Sequence, residues 1–398
     1  MEHGKWLLIA AVSGLSANLQ AQQQEITGLE VGGFELLPSF EYQSLYDDNL
    51  TRSDTAQTDS WASVYRPGLL LRNQSEVNPF RINYLLSHAD YYSSSEDNYT
   101  DHYFSALLGT EINRRHRLRL QADFTDGHDD RGTAYSIGRG DELSEPDTYT
   151  RAGADVIYSY GLESATGRLE LNAGVSELDY DGDALNYQAR DRQTSRYGGA
   201  FYYRVGPSTD LLLDASQAHI RYDLALDPQV PLDSDERSLL LGARWEGGAN
   251  TRGFAKVGYQ EKDFAAAQRQ TFHGLDWEVG VTWQPLSYSQ LELSTELDSR
   301  ETNGAGDFIK SRDYQIRWQH DWVERLGTSL TLRHRDNEYV GSPTLREDDN
   351  RLLQLSTVYQ FRRWLSFELA YRHDERDSTV KAIEYDRNQY RLAVSISM

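Results

Sequence analysis

Tyr390-Arg391-Leu392-Ala393-Val394-Ser395-Ile396-Ser397-Met398 decides the fold. Tyr390, Leu392, Val394, Ile396 and Met398 fall on one face of an extended chain, and Arg391, Ala393, Ser395 and Ser397 fall on the other. A period of two is a strand with one apolar face. The preceding stretch repeats it, with Leu365, Phe367, Leu369 and Tyr371 opposite Ser366, Glu368, Ala370 and Arg372. So do Leu275, Trp277, Val279, Val281 and Trp283 against Asp276, Glu278, Gly280, Thr282 and Gln284. Leu291, Leu293, Thr295 and Leu297 oppose Glu292, Ser294, Glu296 and Asp298, and the rhythm reaches back to Phe34.

Composition says what the apolar face meets. Only 38% of the 398 residues are hydrophobic, the net charge is −22 and the mean hydropathy is −0.69. A helical membrane protein needs about 20 consecutive apolar residues per span, and none occur after the N-terminal stretch. A membrane barrel keeps hydropathy low, because only alternate residues face lipid. The acidity argues against nucleic acid as a partner, since phosphates would be repelled. The absence of Cys removes disulfides and thiolate metal sites and suits passage through an oxidising periplasm.

Residues 1–21 have the layout of a secretory signal peptide: Lys5, a short apolar core from Trp6 to Val12, then small and polar residues up to a cut after Ala21. Residues 22–33 then form a short periplasmic segment, and residues 34–398 form the barrel. Strands of about a dozen residues exceed the 5–6 usual in sandwiches. Tight turns at 113–115, 164–167, 206–208, 285–287 and 362–363 alternate with polar loops at 47–60, 128–147, 181–191, 224–235 and 340–346. Short periplasmic turns and long outer loops are the outer-membrane layout. Trp61, Trp245, Trp283, Trp318, Trp322 and Trp364 stand toward strand ends, where interfacial aromatic girdles belong. The expected fold is all-β: a transmembrane, antiparallel, up-and-down barrel of about 18 strands (16–20), both termini periplasmic and without a plug domain. A barrel of that size leaves an aqueous lumen.

Charge divides between the two ends. Arg114, Arg115, Arg117 and Arg119 crowd one proposed periplasmic hairpin, and Arg362 and Arg363 another, while the proposed outer loops are rich in Asp and Glu. Alternation points Arg317, Arg333, Arg335, Glu292 and Glu296 into the lumen. These residues, with the six turn-end Arg, are the candidates for solute contact. The alternative for the lumen charges is mutual pairing that stiffens the wall; for the turn Arg it is lipid phosphate or an acidic partner protein. The His residues are scattered, with no i, i+4 pair and no Gly-x-Ser-x-Gly turn, so the chain reads as a non-enzyme without metal or cofactor.

Leu37-Pro38-Ser39-Phe40, Tyr46-Asp47-Asp48-Asn49-Leu50, Thr58-Asp59-Ser60 and Tyr65-Arg66-Pro67-Gly68-Leu69 resemble the opening of the "putative β-barrel porin 2" family. The closing residues 390–398 look like the C-terminal signal read by the barrel assembly machinery, although they end in Met instead of Phe or Trp. The resemblance implies a role in exopolysaccharide export to the cell surface, beside a periplasmic polysaccharide-export protein, in contact with outer-membrane lipids and lipopolysaccharide. The alternatives are a porin for small hydrophilic solutes on the same architecture, and a structural or adhesive surface barrel.

Overall fold

The computed structural model describes residues 28–248 and 250–397. The expected signal peptide, residues 22–27 and Met398 lie outside them. A short strand, β1 (Leu29–Val31), precedes eighteen long ones. The first nine are β2 (Phe34–Asp47), β3 (Ser60–Arg72), β4 (Phe80–Tyr91), β5 (Tyr99–Asn113), β6 (His116–Asp129), β7 (Asp147–Tyr160), β8 (Gly167–Tyr180), β9 (Arg192–Gly206) and β10 (Thr209–Tyr222). The others are β11 (Ser234–Gly248), β12 (Thr251–Phe264), β13 (Phe272–Leu286), β14 (Ser289–Glu301), β15 (Phe308–Val323), β16 (Leu326–Val340), β17 (Glu347–Arg362), β18 (Leu365–Ser378) and β19 (Tyr385–Ser397). Each long strand pairs antiparallel with the next, and β19 returns to β2, so the sheet closes into an eighteen-stranded barrel.

The alternation read from the sequence sets the two faces. Directly paired residues share a face, so Leu213, Leu241, Val257 and Trp277 continue one another around the outside. Leu241 and Leu369 expose 63% and 64% of their surface, and such residues recur around the ring as a continuous apolar belt. A belt far larger than the patches tolerated on soluble proteins identifies the solvent as lipid. The inward rows are polar or small.

The connections divide the barrel into two rims. At one, connections such as 114–115, 207–208 and 324–325 are two residues long; at the other they form longer loops, of which 130–146 is the longest. These are the turn rim and the loop rim. Trp245, Trp283, Trp318, Trp322 and Trp364 gather at the turn rim. Trp61 stands at the loop rim, 5.2 Å from the Tyr46 ring. Toward the loop rim the outward rows turn from apolar to charged. Glu261, Asp263, His273, Lys310, Arg312, Asp336, Glu338, Arg351, Glu375 and Asp377 form a collar there, with Lys310–Glu338 at 3.3 Å and Arg351–Asp377 at 3.3 Å.

The quoted Asp47-Asp48-Asn49 segment acquires a physical role at the closure between β19 and β2. Asp47 receives Arg387 Nε at 2.9 and 3.0 Å and Gln389 Nε2 at 2.7 Å. Asp48 accepts the Asn388 backbone N–H at 2.6 Å and its side-chain amide at 2.8 Å. Asn49 donates to the Asp386 carbonyl at 2.8 Å. Leu50 then anchors the turn in a buried cluster with Ala62, Val64, Ala89 and Tyr91. Backbone pairing of β19 with β2 ends at Ser39. Below that point β1 takes over the same edge, pairing Leu29 with Leu36 and Val31 with Phe34.

Candidate solute pathway

Charges on the inner wall are arranged in cross-strand sets, because register places them opposite one another. Arg333 on β16 donates Nε to both oxygens of Asp313 on β15, at 2.9 and 2.8 Å, and Arg335 donates to the same carboxylate at 2.8 Å. Glu296 faces Asp313 on one side and Glu278 on the other, and Glu278 pairs with Lys256 at 2.5 Å. Glu292 accepts from Gln290 Nε2 at 2.7 Å and lies opposite Arg317 in register. These residues therefore sit on the inner wall, with Arg333 and Arg335 already engaged by a carboxylate.

The Arg residues of the turns do not come together. Arg114 and Arg115 are exposed in the β5–β6 turn, Arg362 and Arg363 in and beside the β17–β18 turn, and β19 and β2–β4 stand between the two. The Arg362 guanidinium lies 4.7 Å from the centre of the Phe361 ring, on an outward residue. Arg117 turns to Glu163 at 3.2 Å and the Gly161 carbonyl at 3.3 Å. Arg119, half-exposed, faces Gly109 and Ile157.

A denser cationic group lies at the turn rim of β8–β11. Arg168, Arg204 and Arg244 converge on one carboxylate, Asp210, at 2.8, 2.5 and 3.2 Å. The Tyr202 ring is flanked by Arg168 at 4.8 Å and Arg244 at 5.2 Å. Three guanidinium groups against one carboxylate leave an excess of positive charge facing the lumen. None of the three is among the candidates drawn from the sequence above. The signal that finds them is an inward Arg beside a turn on β8, β9 and β11, with an inward Asp on β10 between them.

Across the loop rim runs residues 130–146, the connection from β6 to β7. It is pinned near its start. Arg52, in the β2–β3 loop, donates to Asp130 at 2.6 Å and to the Arg131 carbonyl at 2.9 Å. Arg131 in turn donates Nε to Asp97 at 2.7 Å and Nη1 to the Leu143 carbonyl at 3.1 Å, tying the segment to itself and to the β4–β5 loop. Close contact requires Gly132 and Gly140, because a Cβ there would fall 2.3 and 2.2 Å from the Thr51 carbonyl oxygen. Tyr135 packs edge-on to Tyr180 at 5.6 Å, with Arg190 over its ring at 4.4 Å. Beyond them it lies against Gly304 in the β14–β15 loop, where an added Cβ would sit 3.6 Å from its ring. On another side, a Cβ on Gly138 would meet Ile383 of the β18–β19 loop at 2.5 Å. From β7 to β14 six strands intervene one way, and from β15 to β6 eight intervene the other way. The segment thus reaches from one wall to nearly the opposite wall and narrows the mouth.

The sequence matches the model of the family described as "Putative beta-barrel porin 2" over residues 24–398. No curated protein matches it. Among solved structures, Pseudomonas aeruginosa OccK2 (OpdF) superposes with a TM-score of 0.50 at 12% identity, covering 91% of this chain and 98% of that one. P. aeruginosa OpdK with vanillate gives 0.49 at 14% identity, with coverage of 91% and 98%. The FrpB iron transporter of Neisseria meningitidis gives 0.48 at 13% identity, with coverage of 90% and 64%. With a closed eighteen-stranded ring, a lipid belt and a family match over nearly its whole length, the chain belongs to the "Putative beta-barrel porin 2" family of outer-membrane β-barrels.

Proposed function

We propose that the barrel is a diffusion channel for small hydrophilic solutes, with the short turns in the periplasm and the long loops at the cell surface. The observation that carries this reading is the 130–146 segment, which spans the loop-rim mouth between nearly opposite walls. A hydrated polysaccharide, the reading implied by the resemblance, needs a wide unobstructed exit. A small solute needs only gaps beside a fixed constriction and contacts weak enough to release it. The family's description as a porin points the same way. The Arg168, Arg204 and Arg244 group supplies a positive inner mouth that raises the local concentration of anions there.

Purified barrel in vesicles tests this directly. Permeation should fall steadily from mono- to trisaccharides, and dextran should be retained. Passage of dextran through the wild-type barrel would return the polymer-export reading to the front. Absence of any conductance would remove the channel reading and leave a structural barrel.

A further inference from the structure

Between β13 and β14 the wall comes apart. Backbone pairing runs from Trp283 opposite Leu291 to Glu278 opposite Glu296, and stops there. Residues 272–277 stay paired to β12, and residues 297–301 to β15, but not to each other. No other neighbouring pair in the ring leaves five residues of both strands open among the described residues.

The cause is visible on the inside. Ser299 donates to Glu236 at 2.9 Å and accepts from Gln260 at 2.9 Å. Glu301 accepts from Lys262 at 2.5 Å and from the Tyr222 hydroxyl at 2.6 Å. Those partners line the inner face of β10, β11 and β12, so the loop-rim end of β14 is drawn into the lumen. An apolar cluster seals the gap behind it, with Phe272 and Phe308 rings 5.9 Å apart and Leu297 buried between the strands.

On the outside a cleft of about 250 Å³ remains. Leu275, Trp277 and Leu297 form its floor, and His273, Lys310 and Arg312 its rim. Leu275 is the last apolar outward residue on β13 before His273, and Tyr314 the last on β15 before Arg312. The cleft therefore straddles the boundary between hydrocarbon and headgroups. The two open strand edges present backbone donors and acceptors that do not meet each other, and hydrocarbon alone cannot satisfy such groups.

We propose that this cleft binds one phosphorylated lipid of the leaflet on the loop side. An acyl chain lies along Leu275, Trp277 and Leu297. The ester oxygens lie along the edges where β13 and β14 do not pair with each other, and the headgroup phosphate meets Lys310 and Arg312. Both cations also contact acids, Lys310 with Glu338 at 3.3 Å and Arg312 with Asp336 at 2.5 Å. An ammonium has three donors and a guanidinium five, so a phosphate joins these pairs without displacing them.

The test uses full-length barrel in vesicles containing phosphatidylglycerol with a photoreactive diazirine in one tail, followed by peptide mapping of the adducts. The expected result is a concentration of adducts on residues 272–277 and Leu297 above the rest of the lipid-facing belt. In the Lys310→Gln/Arg312→Gln variant, and in the groove-filling Leu275→Trp variant, that excess should be lost while labelling elsewhere is unchanged. Folding of each variant is checked by its heat-modifiable gel mobility. Even labelling around the belt of the wild type, or an excess that survives both variants, would overturn the proposal. The outcome does not depend on whether the barrel conducts.

Discussion

Asp47→Ala should open the barrel at its closure. Asp47 is fully buried, and the Arg387 side chain that it holds is only 6% exposed. Removing the carboxylate leaves the guanidinium in a nearly dry site with its main partner gone, and takes an acceptor from Gln389 as well. Breaking one side of a buried ion pair costs about 3–5 kcal/mol, because the surviving charge stays desolvated. Substituting both partners tells a different story. Asp47→Leu with Arg387→Met removes both charges, and apolar replacement of a buried pair is often close to neutral. Urea unfolding from lipid vesicles, followed by tryptophan fluorescence, measures all the variants in one cycle. The single change should show the large loss, the pair a loss well below the sum of its two singles. An Asp47→Ala barrel within about 1 kcal/mol of wild type, the range of exposed pairs, would refute the closure argument.

Three further outcomes follow from the same geometry. Leu293→Arg places a charge on the lipid face, where the midplane penalty is about 2–4 kcal/mol, whereas Glu292→Gln on the inner wall should leave folding in vesicles unchanged. Replacing Arg168, Arg204 and Arg244 with Gln should shift the reversal potential in a salt gradient toward cation preference. The shift should shrink at high salt, where screening falls below the Debye length of about 8 Å found at physiological strength. The third concerns acid. Partial burial of the Asp130 carboxyl favours its protonation, but the neighbouring Arg52, His128 and Arg387 outweigh this and hold it well below the usual carboxylate range. Its contribution to pinning residues 130–146 is therefore complete above the unfolded carboxyl value of about 3.9, and is lost as pH falls through the lowered folded value. Single-channel conductance should hold steady from neutral pH down to that unfolded value and rise only in stronger acid; a rise at pH 5–6 would contradict the pinning.

The barrel was legible because lipid imposes a rule on every strand: one face apolar, period two. That rule does not reach what happens where it lapses. Leu297 continues the alternation of Leu291, Leu293 and Thr295 on paper, yet it is buried in the seam, because Ser299 and Glu301 are drawn inward by partners on other strands. Alternation turns Arg333 and Arg335 to the same face as Asp313, but their shared carboxylate depends on the register of β15 against β16, which alternation leaves open. The Arg168, Arg204 and Arg244 group assembles from three different strands around a fourth strand's Asp210. Residues 128–147 read as a surface loop of unspecified course. Their path depends on Arg52, Gly304 and Ile383, each from a different part of the chain.

The charged collar has a consequence for how these barrels crowd. A fourteen-residue strand such as β12, rising about 3.4 Å per residue and tilted by about 40°, stands about 36 Å tall, against an apolar band of about 25 Å. The surplus is the collar, with acids outnumbering bases. Two neighbours can share lipid at the level of their belts while their collars repel at close range through water. Lateral spacing is then set above the bilayer, over a distance on the order of the 8 Å screening length. Arrays of the protein should tighten as ionic strength rises, with no change in the barrels themselves.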